Sequence, residues 1–137
     1  CLLSRGLGDV YKRQGSINWK QKVNSDLRPT LIGNVVLTIS SEGYLYIIEN
    51  ETGNIIRVTD IFNSFKDKKR KEIKPIGFLV GINDIFLTTD KGSLLVIDKS
   101  TGKTKSIFKF SKGKLSRPLS SNQNMFIIKD NSIIKLN

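Results

Sequence analysis

Gly43-Tyr44-Leu45-Tyr46-Ile47-Ile48-Glu49-Asn50-Glu51-Thr52-Gly53-Asn54 decides how the rest of the chain is read. It returns, lightly altered, 49 residues later as Gly92-Ser93-Leu94-Leu95-Val96-Ile97-Asp98-Lys99-Ser100-Thr101-Gly102-Lys103. Each copy is a glycine, a run of mostly apolar residues, a polar connection closed by Thr-Gly, and a second run. That is the pattern of a strand, a tight turn and a strand. A repeat of about 40 to 50 residues predicts stacked β-units, since one such unit cannot bury both of its faces alone.

Working outward, the first unit comprises strands at Leu27 to Ile32 around Pro29, Val35 to Ser40, Tyr44 to Glu49, and Asn54 to Ile61. Gly33-Asn34 between the first two is a hairpin dipeptide. The order recurs as Ile73 to Val80 around Pro75, Asp84 to Thr89, Ser93 to Asp98, and Lys103 to Phe110. It starts a third time with Leu115 to Ser120 around Pro118, Met125 to Lys129, and Ser132 to Leu136. The units are thus about 27–61, 73–110 and 115–137, the last with three strands. Gly43, Gly92 and Asn131 occupy one turn position, and glycine and asparagine are the residues that best accept a left-handed backbone. Thr52-Gly53 and Thr101-Gly102 likewise place a glycine last in a bulged turn. Nearly continuous apolar runs such as Val35-Val36-Leu37 and Ile127-Ile128 predict sheets covered on both faces. Before the first unit, residues 15–23 read as one more strand, with Ile17 and Trp19 on one face.

Residues 1–14 differ in character, containing none of the 18 isoleucines. They resemble a translated sequencing adapter and are set aside as a non-native leader. The only cysteine, Cys1, goes with them, which leaves no disulfide, thiolate nucleophile or cysteine metal site. The net charge of +11 falls to +9 without Arg5, Lys12, Arg13 and Asp9. Lysine outnumbers arginine 17 to 6, beside 18 isoleucines and 11 asparagines, a bias that A/T-rich coding produces by itself. Arginine is the better reader of bases and phosphates, so no nucleic-acid partner is expected.

Four-stranded units repeated side by side are the blades of a β-propeller. Ile47 to Gly53 and Val96 to Gly102 resemble the Ala-x-Asp-x-x-Thr-Gly-x-x-x-Trp repeat of the pyrroloquinoline-quinone-like propellers. The family's docking tryptophan lies four residues after the glycine, the spacing of Gly15 and Trp19. Arg57 and Ser106 stand at that place in the two following blades, so there the ring that packs between neighbours is missing. The resemblance implies an all-β fragment of a propeller, about two and three-quarter blades plus one outer strand. An end directly after a third strand is the expected form of the C-terminus in a ring whose last blade is closed by the N-terminus.

Within that family, Leu115 to Asn137 is similar to the last blade of the lipoprotein scaffold of the outer-membrane β-barrel assembly machinery. This implies a non-enzymatic, periplasmic protein-binding factor with no cofactor. Its partner would be the barrel-forming subunit, and it would meet the membrane only through a lipid anchor on the full-length protein. The opposed reading is a quinoprotein dehydrogenase whose catalytic blades are missing; the family shows a calcium held by Glu and Asn, an aspartate base and a vicinal cysteine pair there. No motif here matches those positions. The sequence has no histidine, the commonest general base and metal ligand. Glu49, Glu51 and Asp98 lie in or beside turns and read as solvated, so no catalytic, cofactor or metal residue is expected.

One connection is unlike its counterparts. Phe62-Asn63-Ser64-Phe65-Lys66-Asp67-Lys68-Lys69-Arg70-Lys71-Glu72 joins the first two units, where Ser111 to Lys114 suffices for the next pair. Ile61, Phe62 and Phe65 at helical spacing predict a single capping turn, with Lys66, Lys68, Lys69, Arg70 and Lys71 exposed. That loop is the candidate contact to an acidic partner or anionic headgroups, against the alternative of a solvated charge run.

Overall fold

The computed structural model describes residues 16–110 and 112–136; the expectations for Cys1 and residues 1–14 lie outside them. Strands β1 (Thr30–Ile32), β2 (Val35–Ile39), β3 (Tyr44–Glu49) and β4 (Ile55–Asp60) form one antiparallel sheet in that order. A second sheet holds β5 (Pro75–Val80), β6 (Asp84–Thr89), β7 (Ser93–Asp98) and β8 (Thr104–Lys109), and a third holds β9 (Leu119–Ser121), β10 (Asn124–Lys129) and β11 (Ser132–Leu136). The only helix among the described residues is α1 (Asp67–Glu72). The all-β expectation of two four-stranded units and one of three is therefore met.

Local chemistry fixes the boundaries. β1 and β9 begin directly after Pro29 and Pro118, and Pro75 opens β5, places where an absent N–H costs little or no ladder bonding. Gly43 (φ 93°), Gly92 (φ 81°) and Asn131 (φ 59°) are all left-handed, so the shared turn position holds. In the third unit the turn is tighter: Asp130-Asn131 alone, both at positive φ, join Lys129 to its partner Ser132. Register shifts at Ile47/Ile48 and at Val96/Ile97 leave Ile56 and Lys105 as the extra residues of equivalent bulges on the outer strands.

The apolar runs are explained by two cores. Leu37, Ile39 and Leu45 of the first sheet meet Phe78, Ile85, Leu87, Leu95 and Ile97 of the second, with Ile61, Phe62 and Ile73 from the link packed among them. Leu94, Leu115 and Ile127 form the next core, with Phe86, Phe110, Met125 and Leu136 around it. Consecutive residues of a strand point to opposite faces, so Leu94 and Leu95 are buried in different cores. On the third sheet Leu119, Ile128 and Ile133 remain exposed, so the expectation that Ile127-Ile128 marks a sheet covered on both faces is corrected: Ile127 is buried in the second core, and no described residue packs over the face that carries Ile128.

Two expectations change. Residues 16–23 form no ladder among the described residues, and Ile17 is 80% exposed, so the expected strand over 15–23 is not seen. Trp19 nevertheless docks. Its ring lies on Gly53, where an added Cβ would stand 2.5 Å away, and its Nε1–H donates to Asn50 O at 2.7 Å. The second junction is not left unfilled. Arg57 occupies the equivalent seat and donates from Nη1 to Ser100 O at 2.7 Å and from Nη2 to Lys99 O at 3.4 Å. Thr59, two residues on, lies against Gly102 as Trp19 lies against Gly53. Ser106 pairs with Val96 in the ladder, and no third-unit turn of this type follows among the described residues.

Candidate functional site

The link between the first two sheets begins as an extension of β4. Ile61 N–H donates to Gly43 O at 2.9 Å and Phe62 N–H to Asp60 Oδ1 at 3.1 Å. Both side chains are fully buried, and Phe62 lies over Gly43, whose missing Cβ makes room for the ring. The turn runs over Ile61 to Ser64 and closes with Phe65 N–H on Phe62 O at 3.0 Å; the rings of Phe62 and Phe65 meet edge to face at 5.3 Å. The predicted turn is present, and α1 follows it as a separate element.

The helix splits the charge run, because successive side chains leave it about 100° apart. The expectation of five equally exposed bases is corrected here. Arg70 turns inward and grips Asp60 with both arms, Nη1 to Oδ2 and Nη2 to Oδ1, each at 2.7 Å. It also lies over the Tyr44 ring at 5.2 Å and reaches Glu42 O at 3.4 Å. The Asp60 hydrogen bonds raise its pKa further. Arg70 is thus the fastening of the loop. A forked guanidinium on one carboxylate is the most directional ion pair available to a side chain.

Lys66, Lys68 and Lys69 go the other way, into an open groove of about 670 Å3 that Lys91, Lys109 and Lys112 also line. Glu72 and Asp90 are its only acids. Lys69 Nζ lies 5.1 Å from the centre of the Phe65 ring. Partial burial, then the facing ammonium of Lys109, lowers the Lys69 pKa. Lys112 is tied down from below: Lys129, almost wholly buried, donates from Nζ to Lys112 O at 2.9 Å. Lys71 sits on the far side of α1, in a separate cavity of about 410 Å3 with Asp26, Glu42, Asp67 and Lys74. Lys91, Lys109 and Lys112 were missed because they come from a turn, a strand end and a second link. Only the sheet order brings them to one end of the fold.

The repeat residues serve the blades. Gly43, Gly53 and Gly102 each seat a side chain from another strand or unit. Thr52 hydrogen-bonds Glu49 within its turn, and Thr101 Oγ1 accepts from Lys103 N–H. Asp98 is less free than a solvated acid: it accepts from Ser100 Oγ at 2.6 Å, Ser100 N at 2.8 Å and Thr101 N at 3.0 Å. Those bonds, led by the Ser100 hydroxyl, lower its pKa from 3.8 to about 2. Among the described residues no group of three or more Asp, Glu, His or Cys is placed to hold a metal ion, so no calcium or quinone step is derived.

Blades of this order, seat and register define the class: the fold is that of a β-propeller. No protein-family profile and no curated protein sequence matches the chain. Among solved structures it is similar to BamB from Moraxella catarrhalis, at a TM-score of 0.68 and 14% identity over 89% of this chain and 34% of that one. The WD40 β-propeller domain of Doa1 gives 0.60 and 14%, over 79% of this chain and 34% of that one. Quinohemoprotein alcohol dehydrogenase ADHIIG from Pseudomonas putida HK5 gives 0.59 and 17%, over 80% and 17%. The chain spans about a third or less of each of these structures. Identities this low speak for the fold alone.

Proposed function

We propose that the chain is part of a non-enzymatic, protein-binding scaffold of the BamB kind, which assists assembly and insertion of β-barrel proteins into the outer membrane. The observation that carries this reading is the lysine groove beside the fastened link: a strongly cationic surface built from the second unit and the two links that flank it. Such a surface steers an acidic partner and fixes its orientation with no covalent chemistry. The partner in this reading is the barrel-forming subunit, and the setting is the periplasm, with a lipid anchor on the full-length protein. The likeness to BamB over most of the chain supports it.

The test is capture of the purified barrel-forming subunit by the full-length protein, with Lys66, Lys68 and Lys69 of the groove replaced by Ser. Arg70 is spared, since it holds the loop. Weaker capture, with a shallower dependence of the association rate on salt, is expected. Unchanged capture by a folded variant overturns the reading. The second reading, part of a quinoprotein dehydrogenase, draws on the likeness to ADHIIG. It would be favoured by quinone- and calcium-dependent dye reduction by the full-length protein.

A further inference from the structure

Each unit starts its innermost strand in the same way, with a cation followed by a proline: Arg28-Pro29, Lys74-Pro75 and Arg117-Pro118. Proline holds its own φ and pushes the preceding residue to extended backbone, so each cation is presented at a fixed place at the head of the strand. Two of the three share a cavity. Arg28 of the first unit and Arg117 of the third line one cavity of about 540 Å3, together with Ile76, Gly77 and Phe78 of β5 from the unit between them.

Gly77 is what lets Arg117 lie against this strand. A Cβ there would stand 2.5 Å from Arg117 Cγ, 2.7 Å from its Cβ and 3.1 Å from its Cα, so backbone and stem of Arg117 lie directly on the bare strand. Arg57 and Arg70 donate to protein acceptors. Neither the Arg28 nor the Arg117 guanidinium has a hydrogen-bond or ion-pair partner among the described residues. Asp26 lines the same cavity without pairing to either. Ser25, also in the wall, is engaged: its Oγ donates to Ile39 O at 2.6 Å and accepts from Leu27 N at 3.1 Å.

The geometry points to an oxyanion site, in which Arg28 and Arg117 hold a carboxylate or phosphate group of a small ligand over Gly77. Two unengaged planar forks suit this chemistry, because each can present parallel N–H donors to one anionic group. The cavity falls in the range of small-ligand sites, about 300 to 1,000 Å3. Asp26 opposes part of the positive charge, so binding depends on hydrogen-bond geometry as well as on net charge.

The test is titration of the full chain with citrate and, separately, inorganic phosphate at physiological ionic strength, followed by calorimetry and by NMR of the two arginine side chains. Saturable binding of either probe is expected, and the probe that binds identifies the source of the oxyanion. Arg28→Ala and Arg117→Ala are each expected to weaken it at least about tenfold, since a charge-assisted hydrogen bond accounts for at least that much. Both side chains are exposed, so the variants should fold. Arg117→Lys keeps the charge and loses the fork, and it should weaken binding nearly as much. Lys103→Ala, in the turn after Gly102, should change nothing. The proposal is overturned if neither probe saturates, if Arg28→Ala and Arg117→Ala bind as the parent does, or if Arg117→Lys restores full affinity.

Discussion

Gly43→Ala is the substitution whose cost can be worked most closely. The new Cβ would lie 2.9 Å from Phe62 Cβ and nearer still to the ring, and the backbone at φ 93° resists any L side chain. The backbone contributes about 1–2 kcal/mol. Moving Phe62 out of its fully buried seat adds about 1.5–3 kcal/mol. The total is roughly 3–5 kcal/mol, or a fall in Tm of roughly 10–17 °C for a chain this size. Gly33→Ala is the matched control: it sits at φ 56° with nothing within 4 Å of an added Cβ, so it bears the backbone cost alone. The loss of unfolded-chain entropy on Gly→Ala is common to both and cancels in the difference. Denaturant unfolding of the two variants, with hydrogen exchange at Phe65 and Arg70 N–H, reads out stability and loop together. Gly43→Ala should cost at least about 1.5 kcal/mol more than Gly33→Ala and speed exchange through α1. If the two differ by less than about 0.5 kcal/mol, Phe62 is not held by the gap at Gly43 and the account of the loop fails.

Two further outcomes follow from the same contacts. Trp19 is the only tryptophan, so Gly53→Ser, which places atoms where its ring now lies, should shift the emission of the folded protein to the red; an unchanged spectrum would mean that the ring is not seated on Gly53. Asp98 has its folded pKa depressed from 3.8 to about 2, so its contribution to stability is fully present above 3.8 and is lost as pH falls through about 2; carboxyl NMR should find that low midpoint and Ser100→Ala should raise it, whereas a midpoint of 3.8 in the parent chain would refute the turn's hydrogen bonding.

What was legible in the sequence was whatever depends on backbone chemistry over a few residues. A left-handed turn position accepts glycine or asparagine and little else, so Gly43, Gly92 and Asn131 revealed the register of all three units. Pro29, Pro75 and Pro118 were read as lying within strands beginning at Leu27, Ile73 and Leu115, whereas the ladders begin only at Thr30, Pro75 and Leu119, because a residue without an N–H cannot extend the pairing backwards. The seats between blades were half legible: the spacing found Trp19, yet the absence of a ring at Arg57 concealed that a guanidinium fills the same place by donating to turn carbonyls. The candidate site was least legible. Five bases within six residues look equivalent as a string, and only the pairing of Arg70 with Asp60, ten residues back across a buried turn, separates the fastening from the surface it supports. Lys91 and Lys109 carry no local signal. The cations before the three prolines were visible throughout, but the seating of Arg117 depends on Gly77 of another unit.

Among the described residues every ladder joins strands adjacent in sequence, within each of the three sheets. Such pairings close short loops at small entropic cost, so each sheet can zip as soon as its own residues are available. β1 to β4 contain every partner of their own ladder, so during synthesis that sheet can reach its register before β5 is made, and Leu37, Ile39 and Leu45 then depend on Ile85, Leu87 and Leu95 to cover them. The link that carries Arg70 spans that interval. Gly43 and Asp60, which seat Phe62 and Arg70, both precede the second sheet in the chain, so this fastening needs nothing from that sheet and would shield one end of the exposed face while the rest is made.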